Sequence, residues 1–130
     1  MIVVDASALL EVLLRTPTAQ AIERRLFGLR ETLHAPHLLD VEVAQVIRRY
    51  VRMREMEAER GAAALADLAE FPLHRYPHNF LLPRVWELRE NLTAYDAVYV
   101  ALAEILDASL LTRDRRLAAA AGHQARIELA

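Results

Sequence analysis

Short apolar runs alternate along this chain with stretches of helical periodicity, and that alternation restricts the fold more than any other feature. Ile2-Val3-Val4 is a compact β-branched run that reads as a strand. Leu33-His34-Ala35, Leu73 to Tyr76, Ser109 to Thr112 and Ala125 to Leu129 are further strand candidates. Helical patterns fill the intervals. They run from Ala6 to Leu14, from Pro17 through Ala19, Ile22, Leu26 and Leu29, from His37 to about Arg54, and from Glu55 to Ala69. Further patterns span His78 to Asn91, Ala94 to Leu106 and Arg115 to Ala121. Breaks fall at Arg15-Thr16-Pro17, His34-Ala35-Pro36, Glu70-Phe71-Pro72 and Tyr76-Pro77, because proline disfavours helix in the residue before it. Strands separated by helices pair in parallel through right-handed crossovers. The expected architecture is therefore α/β, a central parallel sheet with helices on both faces. Ligands of such sheets gather outside the carboxyl ends of the strands.

A length of 130 residues predicts a single domain over 1–130, and 55 % hydrophobic with 26 % charged residues suits a core-forming globular chain. The chain has no cysteine, which excludes disulfides, thiolate zinc sites and cysteine nucleophiles, and suits a reducing cytoplasm. No basic leader precedes Ile2, and the purest apolar stretch, Ala97 to Ala103, is far too short to span a bilayer, so no membrane role is expected. The net charge of −2 argues against a general polyanion binder. All 16 basic residues are arginine, a bias that favours phosphate contacts but that genomic base composition also produces.

Four acids stand where strands end or helices begin. Asp5 follows the first strand and Asp114 follows Leu110-Leu111-Thr112-Arg113; either can serve simply as a helix N-cap. Asp96 lies in Thr93-Ala94-Tyr95-Asp96, which resembles a capping box, but the helix that follows is apolar nearly all round and should be buried. Glu42 lies inside an apolar helix, too deep for capping, where a salt bridge to Arg48 or Arg49 is the alternative to a functional role. Asp40 is the weaker candidate, early enough to act as an N-terminal acid. Carboxylates gathered at one point repel one another and call for a cation. Magnesium, with manganese as a substitute, takes hard oxygen ligands and reaches for phosphate, which points to phosphodiester hydrolysis.

At these residues the sequence resembles the PIN-domain family, in particular the VapC-type toxins of bacterial toxin–antitoxin pairs. The matching segments are Ile2 to Leu9, Ala35-Pro36 with Leu38 to Val43, Tyr95 to Ala103, and Leu110 to Asp114, in family order. The resemblance implies a three-layer α/β/α fold with a parallel sheet of about five strands. It implies a magnesium-dependent endoribonuclease with Asp5, Glu42, Asp96 and Asp114 as metal-binding catalytic acids. Ser7 and Thr112 match hydroxyl positions that orient the metal shell or substrate. It further implies an RNA substrate, a cognate antitoxin protein and a homodimer. Gln45 stands where many relatives carry asparagine.

Arg113, Arg115 and Arg116 flank Asp114 and are candidate RNA contacts. Arg48, Arg49, Arg52 and Arg54 form either a basic strip or a solvated face paired with Glu55, Glu57 and Glu59. The five histidines make no metal-ligand spacing, and Tyr95, Tyr99 and Trp86 read first as core residues. Two other functions fit a parallel sheet of this kind. One is a PIN-like binding module without catalysis. The other, a phosphoacceptor or phosphatase domain, is disfavoured because such sites need a lysine and this chain has none.

Overall fold

The computed structural model describes residues Met1 to Ala130. The strands are β1 (Ile2–Val4), β2 (Leu33–Pro36), β3 (Leu73–Tyr76), β4 (Ser109–Thr112) and β5 (Arg126–Leu129). They form one sheet in the order β3-β2-β1-β4-β5, and every pairing is parallel. Helices α1 (Ala6–Leu13) and α2 (Ala19–Phe27) join β1 to β2, and α3 (Leu38–Arg52) and α4 (Ala58–Glu70) join β2 to β3. A 3₁₀ turn (Asn79–Leu81), α5 (Leu82–Glu87) and α6 (Ala94–Leu106) lead to β4, and α7 (Arg115–Ala119) leads to β5.

The chain builds outward from β1 in one direction through β3, then returns to add β4 and β5 on the other side of β1. With crossovers of one hand, that reversal puts the two sets of helices on opposite faces and opens a crevice between β1 and β4 at their carboxyl ends. On one face α1 packs against α2, α3 and α4; α6, with α5 beside it, lies over β1, β2 and β4. Ala97 to Ala103 are all buried, and the small side chains of Ala97, Ala101 and Ala103 let α6 approach the sheet closely. A single cluster of 31 buried residues joins both faces of the sheet to their helices.

The elements follow the sequence pattern with local departures. The stretch His78 to Asn91 is not one helix: the 3₁₀ turn and six-residue α5 replace it, with Pro83 in the first turn of α5. The pattern through Leu29 also ends early. Gly28 closes α2, and Leu29 is 71 % exposed.

His34, in the middle of β2, is the one buried imidazole. Its Nδ1 lies 2.6 Å from the Tyr76 hydroxyl and its Nε2 2.7 Å from Thr32 Oγ1, while its ring stacks on His74 at 5.0 Å. Burial, then the charges of His74 and the Met1 amino group, hold His34 below the usual histidine range. The unfolded chain therefore takes up this proton first, so His34 costs stability as pH falls through the ordinary histidine pKa. The urea midpoint of the wild type should drop relative to that of His34→Gln between pH 7 and pH 5. Parallel profiles for the two proteins would contradict this account.

Candidate active site

Asp5 sits one residue past β1, in extended conformation, at the mouth of α1. It does not cap that helix. Its Oδ2 accepts hydrogen bonds from Ser7 Oγ at 2.6 Å and Thr112 Oγ1 at 2.8 Å. Each hydroxyl also accepts a backbone N–H, Ser7 Oγ from Arg113 of the β4–α7 turn at 2.9 Å and Thr112 Oγ1 from Asp114 within its own turn at 3.0 Å. These bonds stitch the β1–α1 turn to the β4–α7 turn across the switch point. Ser7 and Thr112 thus fix the orientation of Asp5 and leave its Oδ1 without a protein donor.

Glu42 lies in the second turn of α3 and forms no salt bridge with Arg48 or Arg49. Its Oε1 instead accepts a 2.6 Å hydrogen bond from the Tyr99 hydroxyl, which α6 delivers from the core. Burial raises the Glu42 pKa; the Tyr99 bond opposes that, and the charges of Asp5 and Asp96 add to it. Burial, followed by the charges of Glu42 and Asp5, pushes the Tyr99 hydroxyl up, so it stays protonated and donates.

Asp96 occupies the first turn of α6. Its backbone N–H is capped by Thr93 Oγ1 at 3.2 Å, so its carboxylate is not needed as a cap. Burial and then the charges of Asp5 and Asp114 raise its pKa, while Thr93 and Arg116 work in the other direction. Asp114 does cap α7: its Oδ1 accepts from the backbone N–H of Arg116 at 2.9 Å and of Leu117 at 3.4 Å. Capping and electrostatic coupling to Asp96 coexist in this residue.

The four acids expected from the sequence therefore lie around the carboxyl ends of β1 and β4, near enough to feel one another's charge. Asp5, Glu42 and Asp96 form no ion pair, and Asp114 has only Arg116 at 4.0 Å. This donor set is all carboxylate oxygen, negatively charged and largely uncompensated, and by its chemistry it fits a hard divalent cation. As they stand, no three acidic or histidine side chains converge tightly enough to grip one ion. Mutual repulsion acts to hold such groups apart.

The arginines divide. Arg113 is tied down, with Nη1 on the Ala130 carbonyl at 3.0 Å and Nε 3.8 Å from Glu11. Arg115 is exposed and makes no ion pair, and Arg116, its side chain 96 % exposed, reaches only to 4.0 Å from Asp114. Arg48, Arg49, Arg52 and Arg54 are exposed and make no ion pairs with Glu55, Glu57 or Glu59, so the paired face is not formed. Asp40 pairs with Arg75 at 2.8 Å, away from the acid cluster. Of the aromatics, Tyr99 is core, whereas Trp86 and Tyr95 are 68 % and 63 % exposed. Tyr99 is the residue that the sequence reading undervalued. A tyrosine inside an apolar helix carries a hydroxyl that needs a partner, and its position one turn after Asp96 was the available signal.

A three-layer α/β/α fold with acids at the β1/β4 switch point is the architecture of a PIN-type domain. The profile described as PIN domain matches residues 2–123, and the chain belongs to that family. It is 43 % identical over 129 residues to Ribonuclease VapC12 of Mycobacterium tuberculosis, an alignment covering 99 % of this chain and 98 % of that protein. Among solved structures, VapBC2 from Rickettsia felis, bound to a DNA fragment from its promoter, superimposes with a TM-score of 0.73. That match has 14 % identity and covers 99 % of this chain and 98 % of the other. A toxin–antitoxin complex from Klebsiella pneumoniae matches with a TM-score of 0.65 and 19 % identity, over 92 % and 91 % of the two chains. No helix is long and apolar enough to cross a membrane.

Proposed function

We propose that this chain, as a single domain over 1–130, is a magnesium-dependent endoribonuclease and the toxin of a toxin–antitoxin pair. The observation that carries the reading is the mutual electrostatic coupling of Asp5, Glu42, Asp96 and Asp114 from four separate stretches of chain, three of them without an ion pair. Relatives named VapC ribonucleases support it. Asp5, Glu42, Asp96 and Asp114 would hold Mg²⁺, with Mn²⁺ as a substitute. When bound, the ion acidifies water and offsets phosphate charge during phosphodiester hydrolysis. Ser7 and Thr112 fix Asp5, Tyr99 fixes Glu42, and Arg113, Arg115 and Arg116 border the site on the side where RNA would lie. The site of action is the cytoplasm.

The partners follow from the same reading. A cognate antitoxin would cover the site, as the toxin–antitoxin neighbour suggests. A homodimer would cover the exposed apolar side chains Phe80, Leu82, Trp86 and Ile105 around α5 and the end of α6. Incubating the purified protein with single-stranded RNA in Mg²⁺, with and without EDTA, tests the assignment. Metal-dependent strand scission is the expected result. Intact RNA under both conditions would instead favour a PIN-like binding module, the alternative that the lack of three convergent ligands supports.

Tyr99→Phe isolates the positioning contact. The ring still fills its buried site, but Glu42 Oε1 loses its donor. Mn²⁺ affinity measured by calorimetry should weaken by about 10- to 100-fold, the usual cost of losing a partner that orients a metal ligand. Unchanged affinity would remove Tyr99 from the site.

A further inference from the structure

Beside the acid cluster, a cavity of about 210 Å³ opens between the turn that precedes α6 and the start of α7. Its walls are Asn91, Thr93, Asp96 and Arg116, and Leu92 and Leu117 form an apolar floor. Asp96 belongs both to this cavity and to the acid cluster, where it senses Asp5 and Asp114. Whatever sits in the cavity therefore lies directly next to a group held at the acids. The volume falls below the ~300–1,000 Å³ usual for whole drug-sized ligands, which favours one flat ring system over a larger molecule.

Two side chains of the cavity are free to recognise such a ring. The Asn91 backbone N–H is anchored on the Leu88 carbonyl at 3.1 Å, but its side-chain amide makes no hydrogen bond within the protein and offers a donor and an acceptor together. Gly122 makes room for that amide. Its φ is +87°, and a Cβ there would stand 2.4 Å from Asn91 Nδ2. Arg116 is 96 % exposed and 4.0 Å from Asp114, so its planar guanidinium can swing over the cavity. Unpaired bases are recognised by this combination, an amide on the base edge and a stacking plane on its face.

Building on the nuclease reading, we propose that this cavity is a base subsite. It takes the unpaired base of the nucleotide next to the scissile phosphate, with Asn91 reading the base edge and Arg116 covering the ring.

The test is cleavage of a random-sequence single-stranded RNA library in Mg²⁺, with the cut ends sequenced, by wild type, Asn91→Ala and Gly122→Ala. Wild type should prefer one base at one position flanking the cut. Asn91→Ala should lower that preference by about tenfold, the scale of one amide–base pair, and leave other positions unchanged. Gly122→Ala, which displaces the same amide, should act at the same position. Asn91 is exposed, so the thermal midpoint of Asn91→Ala should match the wild type. Cleavage by Asn91→Ala with an unaltered preference at every position would overturn the subsite. Should the wild type cut nothing, the nuclease reading falls and the subsite is decided separately in EDTA. There the Asn91 side-chain amide signal, followed by NMR, should move with one of the four nucleoside 5′-monophosphates more than with the others. No movement with any of the four would reject it.

Discussion

Asp96→Asn is expected to abolish RNA cleavage and, in the same protein, to raise the thermal midpoint in EDTA. The two effects have one cause. Asp96 is partly buried beside Asp5 and Asp114, and both burial and those charges disfavour its ionised form. Asparagine removes the charge, keeps the shape, and leaves intact the Thr93 cap, which is made to the backbone N–H. The carboxylate's unfavourable energy, useful only in the presence of a cation, disappears together with the ligand. Adding Mg²⁺ should stabilise the wild type more than the variant, because binding to the folded state alone stabilises by mass action. Cleavage that survives in Asp96→Asn would contradict the assigned role. A lower midpoint in EDTA would contradict the electrostatic account even if activity is lost.

Leu110→Ala should cost about 3–4 kcal/mol of folding stability, the range for a large-to-small change in a core that cannot collapse. Leu110 is fully buried in β4, between Val3 of β1 and Ile127 of β5. Two strands and the helices on either face hold the vacated space open. Against a typical domain stability of ~5–15 kcal/mol, the loss is large and should lower the thermal midpoint on the order of 10 °C. Urea unfolding of the metal-free protein measures it. Leu29→Ala is the matched control. Leu29 stands 71 % exposed beyond the end of α2, and its truncation should be nearly silent. Comparable losses for both would mean that burial in this sheet is not what stabilises it.

That pair also marks what the sequence can and cannot reveal. Leu29 continues the helical spacing of Ile22 and Leu26, so periodicity alone extends the helix through it; Gly28 ends the helix first. Likewise His78 to Asn91 carries apolar residues at helical intervals, but it breaks into a 3₁₀ turn and a six-residue helix. The central strands β1 and β4 were legible as short apolar or β-branched runs, and the edge strands β3 and β5 as short segments that mix apolar and polar residues. Their parallel pairing follows from the helices between them. At the site, Asp5 and Asp114 were ambiguous for a physical reason. A carboxylate at a strand–helix junction caps a helix or faces a ligand with the same local sequence, and Asp114 caps while Asp5 does not. What remained hidden depends on contacts between distant segments. The Tyr99–Glu42 bond spans 57 residues, and the meeting of Asn91 with Gly122 is set by how the turn before α6 approaches the chain beyond α7. Neither leaves a periodic trace.

The hydroxyl stitch between the first and fourth strands sets the order in which the site is completed during synthesis. Asp5 takes its orientation from Thr112, a partner 107 residues downstream, and Asp114 is translated later still. A nascent chain still short of those residues holds three of the acids and the Ser7 bond to Asp5, but not the Thr112 bond that completes its orientation. The acid-lined end of the sheet is therefore assembled only near the end of synthesis, when β4 closes against β1.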